Sequence, residues 1–126
     1  NLDQAVRLGL KPEGGFAENP YAFTEADLLR GKALYQSFCA ICHGVRGEGD
    51  GRAIPLGVPK PRSYHDPAVR DQPEGYFYFA ATNGFGRMLP YKSRIPERER
   101  WLIAHYIKRC LLSEACPEEV VHAEVH

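Results

Sequence analysis

The chain has 126 residues, of which 44% are hydrophobic and 25% charged, and this length predicts a single domain. Sixteen basic residues balance sixteen acidic ones, which argues against a general nucleic-acid or membrane-surface binder, because such proteins carry a basic excess. No apolar run is long enough to span a bilayer. Because the chain begins at Asn1 without a basic-then-apolar leader, we expect a mature or trimmed form.

The first segment, residues 1–23, is rich in turn-forming residues but also carries apolar side chains. It contains Pro12, Gly14-Gly15 and Pro20 among leucines, phenylalanines and a tyrosine. These apolar residues are too many for a linker. We therefore predict an ordered, irregular N-terminal extension packed on the domain, which itself comprises residues 24–116.

The first predicted helix begins after Thr24. Thr24 and Asp27 resemble a capping box, with Asp in place of the usual Glu. Apolar residues follow at helical spacing on one face: Leu28, Gly31, Leu34, Tyr35 and Phe38. This helix leads directly to Cys39.

Residues 39–43 read Cys-Ala-Ile-Cys-His, the C-x-x-C-H arrangement that attaches a c-type haem. Two thiols at this spacing can add to the two vinyl groups of one porphyrin, and the adjacent His43 can then ligate the iron. A thioredoxin-like dithiol would follow a strand, whereas the residues before Cys39 predict a helix. A zinc site needs a second ligand pair, and Cys110 and Cys116 are six residues apart rather than three.

Residues 44–61 are rich in glycine and proline, lack periodicity and are predicted to form a loop. A helix is predicted to begin in the segment 71–74 and to stop at Asn83-Gly84. Its predicted buried side comprises Tyr76, Phe77, Phe79 and Ala80.

The remaining segments are a glycine-rich loop, a final long helix and a tail. The loop contains Met88, the single methionine of the chain. The helix is predicted from Pro96-Glu97 to about Leu111, and residues 117–126 are predicted to be an acidic C-terminal tail. With no convincing strand, the sequence predicts an all-α fold of several short helices.

Taken together, these motifs resemble a class I (His/Met) monohaem cytochrome c. In that family, a glycine and an aromatic residue on the first helix pack against an aliphatic and an aromatic residue on the last, here matched by Gly31 and Tyr35 with Ile103 and Tyr106. The glycines at 44, 47, 49 and 51 and the segment 82–90 resemble a bacterial subtype. More narrowly, the chain is similar to the monohaem subunits of bacterial alternative complex III.

The resemblance implies one covalent haem c, with Cys39 and Cys42 attached to the porphyrin and with His43 and Met88 as the axial iron ligands. It implies an extracytoplasmic electron carrier, not an enzyme, located in the periplasm or on the outer face of the cytoplasmic membrane. Expected partners are redox proteins, such as a quinol-oxidising complex and a terminal oxidase of a bacterial respiratory chain. We expect no nucleic-acid partner, while membrane association through a missing N-terminal anchor or a complex stays open.

The alternative function is a haem sensor or a peroxidase-like enzyme with an open iron position. It would require that Met88 does not bind iron. A separate alternative is a histidine in place of Met88 as the sixth ligand, and the candidates are His65, His105, His122 and His126.

The chain departs from the subtype at two positions. Leu89 separates Met88 from Pro90, so we expect a local shift with Leu89 turned onto the haem or into the core. Arg52 replaces a common proline, which leaves open which proline carbonyl orients the His43 ring. The candidates are Pro59 and Pro61, with Pro55 behind them.

Two further features follow from an extracytoplasmic location and from local charge. Since disulfides persist outside the cytoplasm, we expect Cys110 and Cys116 to form one. No acidic residue lies between positions 85 and 96, where Arg87, Lys92 and Arg94 create a local basic excess. Such an excess favours docking of an acidic partner over the Met88 loop.

Overall fold

The computed structural model describes residues 6–125 of the chain. From residue 25 onward the helices are α1 (Glu25–Phe38), α2 (Ala40–His43), α3 (Pro67–Arg70), α4 (Glu74–Asn83), α5 (Glu97–Tyr106) and α6 (Glu118–His122). A 3₁₀ turn covers Ile54–Leu56, and a π-helical segment, Ile107–Leu111, continues α5. Within residues 6–125 no strand forms, and only two isolated β-bridges occur. The all-α prediction is confirmed.

Helix α1 starts where its capping residues predict. The Thr24 hydroxyl accepts a hydrogen bond from the Asp27 main-chain N–H at 3.2 Å, and the Asp27 carboxylate accepts one from the Thr24 N–H at 2.8 Å. Two main-chain donors that lack helical partners are thereby satisfied. The cap fixes the start of the helix that ends at the C-x-x-C-H motif.

Helices α1 and α5 cross closely at Gly31. A Cβ atom at Gly31 would lie 3.2 Å from both Leu102 Cγ and Tyr106 Cβ, so the close approach depends on the missing side chain. The rings of Tyr35 and Tyr106 extend the contact, with centroids 5.6 Å apart. The predicted packing of the first helix on the last is present, although Leu102 rather than Ile103 lies against Gly31.

Helix α4 occurs where predicted, but its predicted buried side is largely wrong. Its buried residues are Gly75, Phe77, Tyr78, Ala81 and Thr82, whereas Tyr76, Phe79 and Ala80 are partly exposed. The reason is that α4 packs on α5 through a face centred on Tyr78, whose ring stacks on Trp101 at 4.1 Å between centroids. Because the sequence is apolar all round this helix, periodicity does not select that face.

The described part of the N-terminal extension, residues 6–23, lies across α4 and α5. The Trp101 indole donates to the carbonyl of Val6 at 2.6 Å, and the Tyr78 hydroxyl donates to that of Arg7 at 2.8 Å. The main-chain N–H of Gly75 donates to Ala17 at 2.9 Å. Residues 6–23 therefore contact α4 and α5 through these bonds, whereas residues 1–5 lie outside the described part.

Beyond α5 the chain turns back on itself. The N–H of Leu112 donates to the carbonyl of Ile107 at 3.0 Å, which closes a turn one residue wider than that of an α-helix. Cys110 and Cys116 form the expected disulfide, with Cα atoms 4.4 Å apart. Helix α6 follows within the segment predicted to be a tail and buries Val120 against the core.

The short elements that the sequence does not predict include α3, α6 and the 3₁₀ turn inside the loop of residues 44–61. Each has only three to five residues, too few for a periodic pattern. Among residues 6–125 no helix is long and apolar enough to cross a membrane.

Candidate functional site

A cavity of about 490 Å³ lies between α2 and the loop that follows α4. Cys39, Cys42 and His43 line it on one side, and Met88 approaches from the loop. The structure thus gathers the four predicted site residues around one space, although Met88 is 45 residues beyond His43 in the sequence.

Both cysteines of the motif have free thiols, and they differ in burial. Cys39 is 6% exposed, and burial raises the pKa of its thiol to about 12. Cys42, one turn further along, is half-buried. The helical turn between them places both residues at the wall of the cavity, as attachment to one porphyrin requires.

His43 is held neutral and has an unused ring nitrogen. Burial lowers the pKa of its imidazole to about 4. Its buried Nδ1 has no hydrogen-bond partner among the described residues. A neutral imidazole ligates a metal through one ring nitrogen while the other donates a hydrogen bond. His43 lines the cavity in this neutral form, so the motif fits a covalently attached haem, and Nδ1 is the nitrogen left for a main-chain carbonyl.

The Tyr64 ring stacks on His43, with centroids 4.8 Å apart and planes inclined by 15°. Sequence reasoning missed this contact, because no spacing relates position 64 to position 43. Pro59 and Pro61, the preferred candidates for orienting the His43 ring, both line the cavity. Neither carbonyl accepts a hydrogen bond from His43 Nδ1.

The glycine-rich loop after the motif closes against the end of α2. The N–H groups of Gly49 and Gly51 donate to the carbonyls of His43 and Cys42 at 2.8 and 3.1 Å. A side chain at Gly51 would collide with the main chain of Ile41 and Cys42, which explains the glycine there. These bonds satisfy helix-end carbonyls and fix the orientation of the motif.

Met88 lies in a tight turn between α4 and α5. Its N–H donates to the carbonyl of Phe85 at 2.9 Å, and Gly84 and Gly86 adopt positive φ angles of 77° and 57°. Leu89 lines the cavity and is 69% exposed, so it faces the cavity and not the core. Of the two orientations expected for the inserted leucine, the one into the core is therefore wrong, and the one onto the haem stays a prediction.

The histidines weighed as alternative iron ligands lie elsewhere. His65 is bonded to the Arg46 carbonyl at 2.8 Å, His105 to Glu74 at 3.1 Å and His122 to Glu118 at 3.0 Å. None of these three lines the cavity. His126 lies outside the described residues.

The two alternative roles of the cysteine pair are not supported by their surroundings. Within residues 6–125 no group of three or more His, Cys, Asp or Glu could hold a metal ion, as a zinc site would require. The residues before Cys39 form α1 and not the strand of a thioredoxin-like unit.

Comparisons with known proteins agree with this geometry. The family model described as cytochrome c oxidase, cbb3-type, subunit III, matches residues 26–107. A structure titled Kuenenia stuttgartiensis reducing HAO-like protein complex Kustc0457/Kustc0458 aligns over 81% of this chain with 28% identity and a TM-score of 0.57. This chain spans 46% of that longer one. No curated protein matches the sequence.

A second solved structure, titled KustC0563 c-type cytochrome, has 22% identity and a TM-score of 0.52. The alignment covers 62% of this chain and 93% of the other. The family match includes the C-x-x-C-H motif, the Met88 loop and α5. The chain therefore belongs to the cytochrome c family described as cytochrome c oxidase, cbb3-type, subunit III, and it carries a covalently bound c-type haem with its iron.

Proposed function

We propose that this protein is an extracytoplasmic electron carrier of a bacterial respiratory chain, with His43 and Met88 as the axial ligands of its haem iron. The observation that carries the proposal is the single cavity lined by Cys39, Cys42, His43 and Met88. We further propose residues 24–116 as the cytochrome c domain, with residues 1–23 and 117–126 as its extensions.

When bound, the haem supplies one-electron chemistry by alternating between Fe(III) and Fe(II). The residues of this chain set the conditions for it. Cys39 and Cys42 would hold the porphyrin through thioether bonds, and the neutral ring of His43 would donate a nitrogen lone pair. The Met88 sulfur is a soft donor that favours Fe(II) and thus raises the reduction potential.

This ligand set distinguishes a carrier from the alternative, a haem sensor or a peroxidase-like enzyme. If the nitrogen of His43 and the sulfur of Met88 fill both axial positions, no substrate reaches the iron. The placement of Met88 at the cavity and of His65, His105 and His122 away from it supports the carrier.

The surface around the cavity mouth supports docking of redox partners. Phe85 and Leu89 are exposed there, at 61% and 69%, beside the exposed basic side chains of Arg87, Lys92 and Arg94. An apolar centre with a basic rim suits a partner with an acidic rim. We propose a quinol-oxidising complex and a terminal oxidase as donor and acceptor, in line with the resemblance to alternative complex III subunits.

The test of the ligation is Met88→Ala in the haem-loaded protein. The variant should lose the weak far-red Fe(III)–sulfur absorption, lower its reduction potential and bind carbon monoxide when reduced. Leu89→Ala is the matched control, because it shortens the neighbouring cavity side chain and keeps the sulfur. If Met88→Ala keeps the spectrum and potential of the wild type, a histidine is the ligand and the proposal fails.

A further inference from the structure

A buried arginine lies at the base of the loop that carries Met88. Arg100, near the start of α5, is only 5% exposed. Its Nε donates to the Thr82 hydroxyl and its Nη2 to the Tyr78 hydroxyl, each at 3.0 Å. Its Nη1 donates to the carbonyls of Lys92 at 3.0 Å and Ile95 at 2.5 Å.

All four acceptors of Arg100 are neutral. Among the described residues, no carboxylate pairs with its guanidinium. Burying a charge is unfavourable unless fixed hydrogen bonds compensate for it. Because the guanidinium is a rigid planar fork, those bonds define one arrangement of the groups that accept them.

The Met88 loop is the segment between α4 and α5, residues 84–96. The acceptors of Arg100 lie on both sides of it. Tyr78 and Thr82 lie on α4, which ends at Asn83, where the loop departs. Lys92 and Ile95 lie on the segment that returns to α5. One side chain therefore ties the departing segment to the returning segment.

Main-chain bonds also hold the returning side of the loop, where the N–H groups of Arg94 and Ile95 donate to the carbonyl of Tyr91 at 3.0 and 2.9 Å. Near its centre, the Met88 N–H bonds locally to Phe85. On the returning segment, the Tyr91 N–H donates to Ala81 at 2.8 Å and its hydroxyl to Phe38 at 3.2 Å. Met88 therefore lies between the departing and the returning segment of the loop, and Arg100 helps to set the distance between these two segments.

We propose that Arg100 is a positioning residue for Met88, which keeps the loop closed so that the sulfur resists displacement from the iron by external ligands. This inference rests on the proposed His43/Met88 ligation. It predicts that loosening the guanidinium bonds opens the loop before the whole protein unfolds.

The experiment is an imidazole titration of the oxidised, haem-loaded protein, followed by loss of the far-red sulfur–iron absorption. Arg100→Gln should bind imidazole at least about tenfold more tightly than the wild type, which corresponds to about 1.4 kcal/mol. Arg100→Lys keeps the charge but loses the fork, and it should fall between the two. Ser93→Ala is the matched control, because Ser93 is exposed on the same returning segment, and it should stay within about twofold of the wild type.

A milder variant covers the case in which Arg100→Gln does not fold. Thr82→Val removes one acceptor from Nε with little change of shape, and it should tighten imidazole binding about threefold. In parallel, urea denaturation followed by far-UV circular dichroism measures the stability of the whole fold.

Each outcome is decisive. If the Arg100 or Thr82 variants lower the denaturation midpoint but leave imidazole affinity unchanged, Arg100 only stabilises the core and the inference is overturned. Wild-type affinity in Arg100→Lys, with tighter binding in Arg100→Gln, would assign the effect to charge and also overturn it. Absence of the sulfur–iron absorption in the wild type would overturn the proposed Met88 ligation. The Met88→Ala variant tests that ligation without any change at Arg100.

Discussion

Replacing Lys32 with methionine should release the C-terminal helix from the domain. The Lys32 side chain is only 7% exposed on α1, and its ammonium group donates to three carbonyls at the end of α6. The distances are 2.7 Å to Val120, 3.0 Å to Val121 and 2.7 Å to Ala123. Methionine keeps the length and packing of the side chain and removes all three donors.

The expected loss follows from the burial of the acceptors. A hydrogen bond from a charged donor contributes about 1.5–3 kcal/mol, and the bond to Val120 is the buried one. The other two carbonyls are part-buried and regain water, so each contributes about 0.5 kcal/mol. Methionine burial returns roughly 1 kcal/mol. The free energy of unfolding should therefore fall by about 2 kcal/mol.

Urea denaturation of the haem-loaded protein measures this loss, and Lys11→Met, at an exposed position, is the control. Carboxypeptidase should also remove residues 117–126 faster from the Lys32 variant. In a chain ending at Cys116 the same substitution should cost nothing further, since its acceptors are gone. An equal cost in both chains would show that Lys32 acts through α1 packing, and the reasoning would be wrong.

Three further predictions concern the disulfide, the α1 cap and the basic rim. The double variant Cys110→Ala, Cys116→Ala should lower the free energy of unfolding by about 2 kcal/mol, because the disulfide closes a short loop. Thiol titration of the unfolded, unreduced wild type should find neither of these two thiols reactive. Hydrogen bonds from Thr24 hold the pKa of Asp27 below its ordinary value of 3.8. The stability from this cap is therefore present above pH 4 and lost as the pH falls further. In urea denaturation at a series of pH values, Asp27→Asn should reduce the loss of stability below pH 4. Arg87→Glu should slow electron transfer with an acidic partner and weaken its dependence on ionic strength, and rates that ignore salt in the wild type would contradict the docking surface.

The sequence predicts those features whose signals are local. The Thr24 cap, the C-x-x-C-H motif and the end of α4 at Asn83-Gly84 are each specified within a few residues, and the structure has all three. The packing of the first helix on the last is predicted only from the resemblance, because a glycine four residues before an aromatic residue does not by itself identify the helix that packs against it.

The features that escaped prediction depend on contacts between distant residues. Lysine and arginine are usually found on the surface, and Lys32 and Arg100 are buried only because carbonyls and hydroxyls of other segments accept their hydrogen bonds. Likewise, the buried face of α4 is selected by Trp101 and by the N-terminal extension. Tyr64 against His43 is a third case, since only the folded loop brings them together.

The wide turn at Ile107–Leu111 has a consequence for the disulfide. A π-helical turn holds one residue more than an α-helical turn, so the residues at its end point in directions that an uninterrupted α-helix would not give them. The family match ends at residue 107, where that turn begins. Cys110 lies inside this turn, so its direction toward Cys116 depends on the extra residue. Deleting one residue between positions 107 and 111 should turn position 110 away from Cys116 and prevent the disulfide.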